Sequence, residues 1–272
     1  MNNIDKFDIN ISSIFLIKMV DYLQKLNSHR RDERITFDEG PHIYTIDGDS
    51  SFTSVTTWAH SNFGHFDADK IITKMMKGRN WINSKYFGME RQEIKDQWST
   101  SGQEAAAAGT KMHYDIECFY NDMEVVNTST EYSYFMEFHN KFKHLKPYRT
   151  EWMVWDKELK IAGSIDMIYE DNNKNLLIYD WKRCKAIKMA NKWQSSTNPI
   201  LSGFPDSNFW HYSLQLNIYK YLIEKNYGRK VAGLFLICLH PNNKNKSYLR
   251  YEVPDLQDKI KELAKSRLSS FT

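Results

Sequence analysis

Apolar and β-branched residues concentrate in three consecutive segments near the middle of the chain, and they predict three successive β-strands. The segments run from 149 to 155, from 160 to 169 and from 176 to 181. The last two are separated by Asp171-Asn172-Asn173-Lys174-Asn175, a run of turn formers, so they predict a β-hairpin. Helices are predicted before this group, at 131–145, and after it, at 211–225.

The flanking regions extend this pattern. A short helix is predicted over 14–23, a solvated linker over 29–34, and a small β element over 35–57 around the turn Asp47-Gly48-Asp49. Residues 67–121 read as helical with a break near Gly88, and 193–208 is a long irregular loop. A buried strand at 231–239 precedes a segment at 247–253 that is able to pair with it, and Pro254 is predicted to begin a terminal helix at or near its first position.

This order of elements predicts an α/β fold in which a central mixed β-sheet is flanked by helices, with a helical N-terminal region. We expect an N-terminal helix and linker over 1–34 and a single domain over 35–272.

Composition narrows the class of protein. The chain of 272 residues carries 37 Lys and Arg against 34 Asp and Glu, a net charge of +3 that suits a nucleic-acid partner and equally suits an ordinary soluble surface. No apolar run is long enough to span a membrane and no secretory signal is evident, so we expect a soluble, intracellular protein. Frequent Asn, Lys and Ile suggest an AT-rich genome, either viral or from a low-GC bacterium.

The cysteines exclude several kinds of site. Cys118, Cys184 and Cys238 are widely spaced, and no Cys-x-x-Cys pair occurs. We therefore expect a reducing compartment, with no disulfide framework, zinc ribbon or iron–sulfur cluster.

The predicted hairpin carries the main candidate chemistry. Asp166 ends the run Gly163-Ser164-Ile165-Asp166, and Asp180 and Lys182 flank Trp181. Because side chains alternate along a strand, Asp180 and Lys182 point the same way, and Asp166 can face them across roughly 5 Å. A solvated strand pair is the alternative, but the preceding apolar run indicates burial, and buried charges need a partner or a metal.

Other candidate residues have equally plausible structural explanations. His113 and Glu117 lie four apart on an alanine-rich helix, where a histidine is either a metal ligand or structural. They do not form the His-Glu-x-x-His pattern of zinc hydrolases. Glu151 begins the first strand, where it is either a site acid or a surface carboxylate. Gln215 and Tyr219, also four apart, either contact a ligand or pack a polar helix face.

Basic and aromatic side chains alternate in the predicted helical region. The set comprises Lys70, Lys74, Lys77, Arg79, Lys85, Arg91, Trp81, Tyr86 and Trp98. Such a mixture can hold a nucleic-acid strand by phosphate pairing and base stacking, although amphipathic helices give the same pattern.

Taken together, the ordered motifs resemble the PD-(D/E)XK nuclease superfamily. The likeness is to its RecB-like branch, which includes the mitochondrial genome maintenance exonuclease, and it covers about residues 40–240. It is carried, in chain order, by Ser54-Val55-Thr56, Gly109-Thr110-Lys111-Met112-His113 with Glu117, Glu151, Gly163-Ser164-Ile165-Asp166, Asp180-Trp181-Lys182 and Gln215-x-x-x-Tyr219.

The resemblance implies a restriction-endonuclease-like core with a metal site. Asp166 and Asp180 would bind Mg²⁺ or Mn²⁺, as one or two ions, with the His113 ring and the Trp181 carbonyl completing the ligands. Lys182 would orient the attacking water and help to deprotonate it. Glu151 would be an additional acid, acting as a ligand or through a water.

The resemblance also implies residues that contact the substrate. Gln215 and Tyr219 would support the lysine and the substrate. Ser54 and Glu117 belong to motifs that would also lie beside the substrate. Arg183 stands where this branch often has Thr or Ser, so we expect it to contact a phosphate instead. In the helical region at about 67–105, which would guide a single strand, Arg79 and Trp81 are candidates for strand contact. As in relatives without the cluster cysteines, no iron–sulfur cluster is expected.

The implied activity is metal-dependent hydrolysis of DNA phosphodiester bonds, leaving a 5′-phosphate and a 3′-hydroxyl. We expect an exonuclease acting on single strands or free DNA ends in replication, repair or recombination. The alternatives are a structure-specific endonuclease with the same core, a non-catalytic DNA-binding module, and a hydrolase of another phosphate ester or a zinc enzyme. A membrane partner is not expected.

Overall fold

The computed structural model describes residues 21–271, and its elements are numbered here in chain order within that range. The helices are α1 (Tyr22–Leu26), α2 (Val55–His60), α3 (Ala68–Met76), α4 (Arg91–Tyr120), α5 (Thr130–Lys141), α6 (Asn208–Asn226) and α7 (Gln257–Ser269). The strands are β1 (Ile35–Asp38), β2 (Ile43–Ile46), β3 (Thr53–Ser54), β4 (Lys146–Asp156), β5 (Ile161–Glu170), β6 (Leu176–Lys182), β7 (Val231–Cys238) and β8 (Leu249–Glu252). Short 3₁₀ helices lie at Asp32–Arg34, Trp81–Asn83 and Pro199–Leu201.

A six-stranded mixed sheet forms the centre of the fold, which confirms the predicted α/β class. Strand β5 pairs antiparallel with β4 and with β6, and the β5–β6 unit is the predicted hairpin. Strand β6 continues the sheet through a parallel pairing with β7, and β7 pairs antiparallel with β8. Parallel pairing of β6 and β7 is possible because helix α6 connects them across one face of the sheet.

One edge of β5 is shared by two strands, which leaves a gap between them. Strand β3 pairs in parallel with Ile161 and Ala162, and β6 pairs with the stretch from Met167 to Glu170. Among the described strands, none pairs with residues 163–166 on that edge. The segment that carries the first candidate acid therefore lies where the sheet opens.

Helices cover both faces of the sheet, and the residues of β6 show why. Leu176 and Ile178 face a core shared with α2, α6 and α7. Tyr179 and Trp181 face a second core that includes residues of α4 and α5. All four side chains are almost fully buried, and each such apolar side chain stabilises the fold by about 1.5–3 kcal/mol. The small β1–β2 sheet closes a third cluster around Trp155.

Two sequence predictions about the ends of elements were wrong in detail. Strands β1 and β2 are joined through residues 39–42, and the predicted Asp47-Gly48-Asp49 turn follows β2 instead, where Ile46 bridges to Asp49. Helix α7 begins at Gln257 after Leu256, so Pro254 lies outside it. Proline is compatible with the first turn of a helix and equally with the extended or turn backbone before one, so its presence does not fix where the helix begins.

The predicted helical region is present and broken between α3 and α4, where Gly88 has a φ of +86°. The second helix, α4, is 30 residues long and continues to Tyr120. Most of the predicted N-terminal helix, 14–20, lies outside the described residues, and the described part of the chain begins with the short helix α1. None of the helices in the described range is long and apolar enough to cross a membrane.

Candidate metal centre and active site

Asp166 lies on β5 at the point where β5 and β6 stop pairing. The ladder ends at the pair Met167 and Tyr179. One residue beyond it, Asp166 Oδ2 accepts a hydrogen bond of 2.8 Å from the backbone N–H of Trp181. The carboxylate thus takes the place of a strand partner, and its position is fixed by the backbone of β6.

Asp180 and Lys182 lie on the same side of β6, as their spacing predicts. Lys182 Nζ is 2.7 Å from Asp180 Oδ2, and their side chains are 17% and 3% exposed. The ammonium also lies 4.5 Å from the centre of the Tyr212 ring on α6. Although this ion pair is short, Asp180 Oδ2 is buried and makes no hydrogen bond of good geometry among the described residues. The carboxylate therefore retains capacity to bind a cation.

Glu151 lies on β4 directly across from Asp166, since Thr150 pairs with Met167 and Trp152 with Ile165. Its backbone has a φ of +42°, in the left-handed region that side chains other than glycine rarely adopt. Glu151 Oε2 accepts a hydrogen bond of 2.7 Å from Ser164 Oγ. A strained backbone of this kind costs about 1–3 kcal/mol and is common at functional sites.

His113 reaches the same point from α4. Its Nδ1 atom is 3.5 Å from Asp166 Oδ2. One ligand atom each from His113, Glu151 and Asp166 lies within 4.8 Å of the other two, which is close enough for all three to bind one ion. A hydrogen bond with the Trp181 backbone acts to raise the pKa of His113, so this backbone also lies beside the cluster.

Desolvation sets the charges at this site. Burial, with a smaller effect from Lys182, lowers the pKa of His113 to about 4, so its ring is neutral and able to bind a metal at pH 7. Burial raises the pKa of Asp180 to about 6 against the opposing effect of Lys182. Burial acts to lower the pKa of Lys182, but Asp180 and Asp166 outweigh it and raise that pKa, so the lysine is a cation.

Burial raises the pKa of the remaining acids, and neighbouring carboxylates add to the effect at Glu151. Burial, then Asp166 and Glu117, raise the pKa of Glu151 well above its ordinary value. Burial also raises the pKa of Asp166 and brings that of Glu117 to about 7. Crowded carboxylates of this kind are stabilised by a bound cation, which replaces the protons that they otherwise hold.

These residues fit a hard divalent cation. The cluster offers carboxylate oxygens from Glu151 and Asp166 and a neutral imidazole, and the Asp180 carboxylate, which is paired with Lys182, lies beside it. Oxygen-rich sites with an occasional imidazole suit Mg²⁺ and Mn²⁺. The structure therefore brings the predicted His113, Glu151 and Asp166 together, and Asp180 lies near them in its ion pair with Lys182.

Gly163 and Tyr219 hold β5 against α6 beside the site. A Cβ atom at Gly163 would lie 2.9 Å from two atoms of the Tyr219 ring and hydroxyl and 3.1 Å from Val55 Cβ, so only glycine fits. Tyr219 is 3% exposed, and burial, with smaller effects from Tyr44, Asp166 and Asp180, raises its pKa. A hydrogen bond from Gln215 acts in the opposite direction. Gln215 and Tyr219 thus lie near the acids, where Tyr219 packs against β5.

The other predicted residues form structural contacts or are exposed, and none belongs to the metal cluster. Ser54 caps α2, since its Oγ accepts a hydrogen bond from the backbone of Thr57 at 3.0 Å. Arg183 Nε donates to Glu131 Oε1 at 2.6 Å, so one edge of its guanidinium is already paired. Trp81 is half-buried at the start of the short 3₁₀ helix between α3 and α4, and Arg79 is exposed two residues before it. Contact of these residues with a substrate stays a prediction.

Two tyrosines at the site were missed by sequence reasoning. Burial and the charge of Glu151 raise the pKa of Tyr44, on β2, to about 12, which places its phenol near the acids. Its sequence context indicates only a core strand residue. Tyr212 contacts Lys182 and precedes Gln215 and Tyr219 by three and seven positions on α6. That helical spacing puts the three on one face and was a usable signal.

Comparison with known proteins adds little. No protein-family model matches the chain, and no curated protein matches it. A solved structure described as the crystal structure of SSO0001 is similar over 95% of this chain and 86% of that chain, with 15% sequence identity and a TM-score of 0.37. A likeness at this TM-score carries no argument about fold or function.

Proposed function

We propose that the protein is a divalent-metal-dependent deoxyribonuclease that hydrolyses phosphodiester bonds, acting as an exonuclease on single strands or free DNA ends. The observation that supports this most is the convergence of His113, Glu151 and Asp166 on one point beside the buried Asp180–Lys182 pair. A neutral imidazole and crowded acids can hold a metal ion that activates water, and a cationic lysine can stabilise charge on a phosphate, so together they suit hydrolysis of a phosphodiester.

His113, Glu151, Asp166 and Asp180 would hold the cation. Its binding would supply Lewis-acid chemistry, lowering the pKa of a bound water and stabilising negative charge on the scissile phosphate. Mg²⁺ and Mn²⁺ both fit this set. Glu151, whose pKa is raised well above its ordinary value by burial, would release its proton as the cation binds, whereas Asp180, with a pKa of about 6, is already mostly ionised at pH 7.

Lys182 would orient the attacking water and stabilise charge that develops on the phosphate. Its raised pKa makes it a cation and a proton donor, which favours the orienting part of the predicted role over deprotonation. The Asp180 carboxylate and the Tyr212 ring hold the ammonium from two directions. The lysine thus has little freedom to leave the position in which it acts.

The direct test uses end-labelled DNA, single- and double-stranded, linear and circular, incubated with Mg²⁺ or Mn²⁺ and resolved on a gel. We expect linear single strands to be shortened to small products, circular single strands to persist, and EDTA to stop the reaction. Cleavage of circular single strands would identify an endonuclease of the same core. Cleavage that persists in excess EDTA, or its complete absence with both metals, would refute the proposal.

A further inference from the structure

The segment that follows Lys182 covers a cavity against the start of α6. The cavity has a volume of about 770 Å³, and the residues that line it include Lys185, Lys188, Lys192, Trp193 and Ser207. None of these residues takes part in the metal cluster described above. Because the lining begins at Cys184, only two residues after Lys182, whatever binds in this cavity lies close to the proposed active site.

The charge of the cavity favours a polyanion. Its lining contains three lysines and one acid, Asp206. Asp206 is already paired, since its Oδ1 atom is 2.8 Å from His211 Nε2. Lysines that surround an open cavity bind phosphate groups as mobile point charges.

Trp193 adds an apolar surface to this basic cavity. It is 90% exposed, the largest exposed fraction among the large apolar residues described. Its position is nevertheless fixed, because its backbone N–H donates to Asn191 Oδ1 at 3.0 Å and Asn191 Nδ2 donates to the Asp206 carbonyl at 2.6 Å. An exposed indole on an anchored turn is suited to stacking on a nucleobase.

A second cavity adjoins the first through Lys185. It has a volume of about 660 Å³ and is lined by Phe66, Tyr86 and Trp98 as well as by Lys185. Trp98 Nε1 donates to the Tyr86 hydroxyl at 2.7 Å, which fixes both rings. The two cavities therefore share Lys185 and together present one basic and aromatic surface.

We propose that the cavity lined by residues 184–193 binds a single-stranded polynucleotide, with Trp193 stacked on a base and with Lys188 and Lys192 on its phosphates. This inference rests on the proposed function and extends it, because it assigns the strand a second contact outside the metal site. Substitutions there affect how tightly the strand binds, and they leave the metal ligands untouched.

The test measures binding of fluorescein-labelled oligo(dT) by anisotropy in EDTA, where the proposed cleavage does not occur. We expect Trp193→Ala to weaken binding roughly 5- to 150-fold and Trp193→Phe to retain most of it. Lys188→Ala/Lys192→Ala should reduce the slope of log Kd against log salt by about 1.4, since each phosphate contact on a single strand contributes about 0.7. The matched control is Lys157→Ala/Lys261→Ala, which removes two exposed lysines far along the chain from this segment.

The outcomes separate this inference from the proposed function. If the wild-type protein cleaves DNA but Trp193→Ala and Lys188→Ala/Lys192→Ala bind oligo(dT) as it does, the inference is wrong and the nuclease stands. If these variants lose affinity while the control does not, the site is supported even where no cleavage is found. A loss of the same size in the control double variant would mean general charge attraction, and it would overturn the site.

Discussion

The metal cluster and the helical region before it are built in opposite ways. Asp180 is 2% exposed and Trp181 1%, and they are enclosed by the paired strand β7 and by Asp166 of β5. Along the first half of α4, by contrast, Ile94 is buried and nearly every other side chain up to Ala107 is exposed. One helix thus begins in solvent and ends at the cluster, where it supplies His113.

This difference separates two kinds of energetic control. At the cluster, burial determines which groups are charged, since it shifts the pKa of every acid there. In the exposed region, charges are screened by water and salt and contribute to affinity one contact at a time. We therefore expect substitutions at the cluster to abolish the reaction, and substitutions in the exposed region to change its dependence on DNA concentration.

Substitution of the buried pair should have the largest effect. We expect Lys182→Ala and Asp180→Asn each to reduce the rate of DNA cleavage by at least about 10³-fold, because each removes a group that acts on the phosphate or its cation. Single-turnover cleavage at saturating DNA measures this loss. Asp156→Asn, which removes a buried acid from the far end of β4, is the matched control and should keep the rate near that of the wild type. Full activity of Lys182→Ala would contradict the mechanism.

Substituting one glycine in each region tests the difference in packing directly. Gly163→Ala should lower the free energy of unfolding by about 1–3 kcal/mol, because the new methyl group meets the buried Tyr219 ring and Val55. Gly102→Ala, on the exposed part of α4, has nothing within 4 Å and should raise it by about 0.5–1 kcal/mol. Urea unfolding followed by circular dichroism measures both. Equal effects at the two positions would mean that the contrast in packing is absent.

Metal binding should stabilise the protein more at high pH than at low pH. Burial raises the folded-state pKa of Asp180 to about 6 and of Glu117 to about 7, so ionised carboxylates destabilise the metal-free fold above these values and cease to do so as pH falls through them. A cation relieves that cost only where the acids are ionised. The Tm increase caused by Mn²⁺ should therefore be large at pH 8 and small at pH 5, and Asp180→Asn should reduce it at pH 8. A pH-independent increase would place the metal elsewhere.

The smallest effects are expected in the helical region. Arg79→Ala and Trp81→Ala should raise KM for single-stranded DNA about 2- to 10-fold and leave kcat unchanged, since these side chains are exposed or half-buried and outside the metal cluster. Steady-state kinetics at two salt concentrations would measure this. A fall in kcat at saturating DNA would show that the exposed region controls the chemical step as well.

The sequence predicted best what is local. The β5–β6 hairpin follows from two apolar runs and a turn between them, and the shared direction of Asp180 and Lys182 follows from strand alternation. The gap at residues 163–166 was not predictable, because it depends on β3 pairing with β5 across more than a hundred residues of chain. The position of Tyr44 depends on the same long-range arrangement. Local patterns carry no information about such pairings.

Because of the left-handed backbone of Glu151, selection for stability and selection for activity should favour different residues at this position. Glycine or asparagine adopts a φ of +42° at lower cost than glutamate, so a library screened only for heat resistance should enrich these residues at position 151. The same variants would lose an acid from the cluster and, with it, cleavage. Activity and thermal tolerance should thus trade off at a single codon, and the size of that trade-off would measure how much conformational strain the protein tolerates for its proposed chemistry.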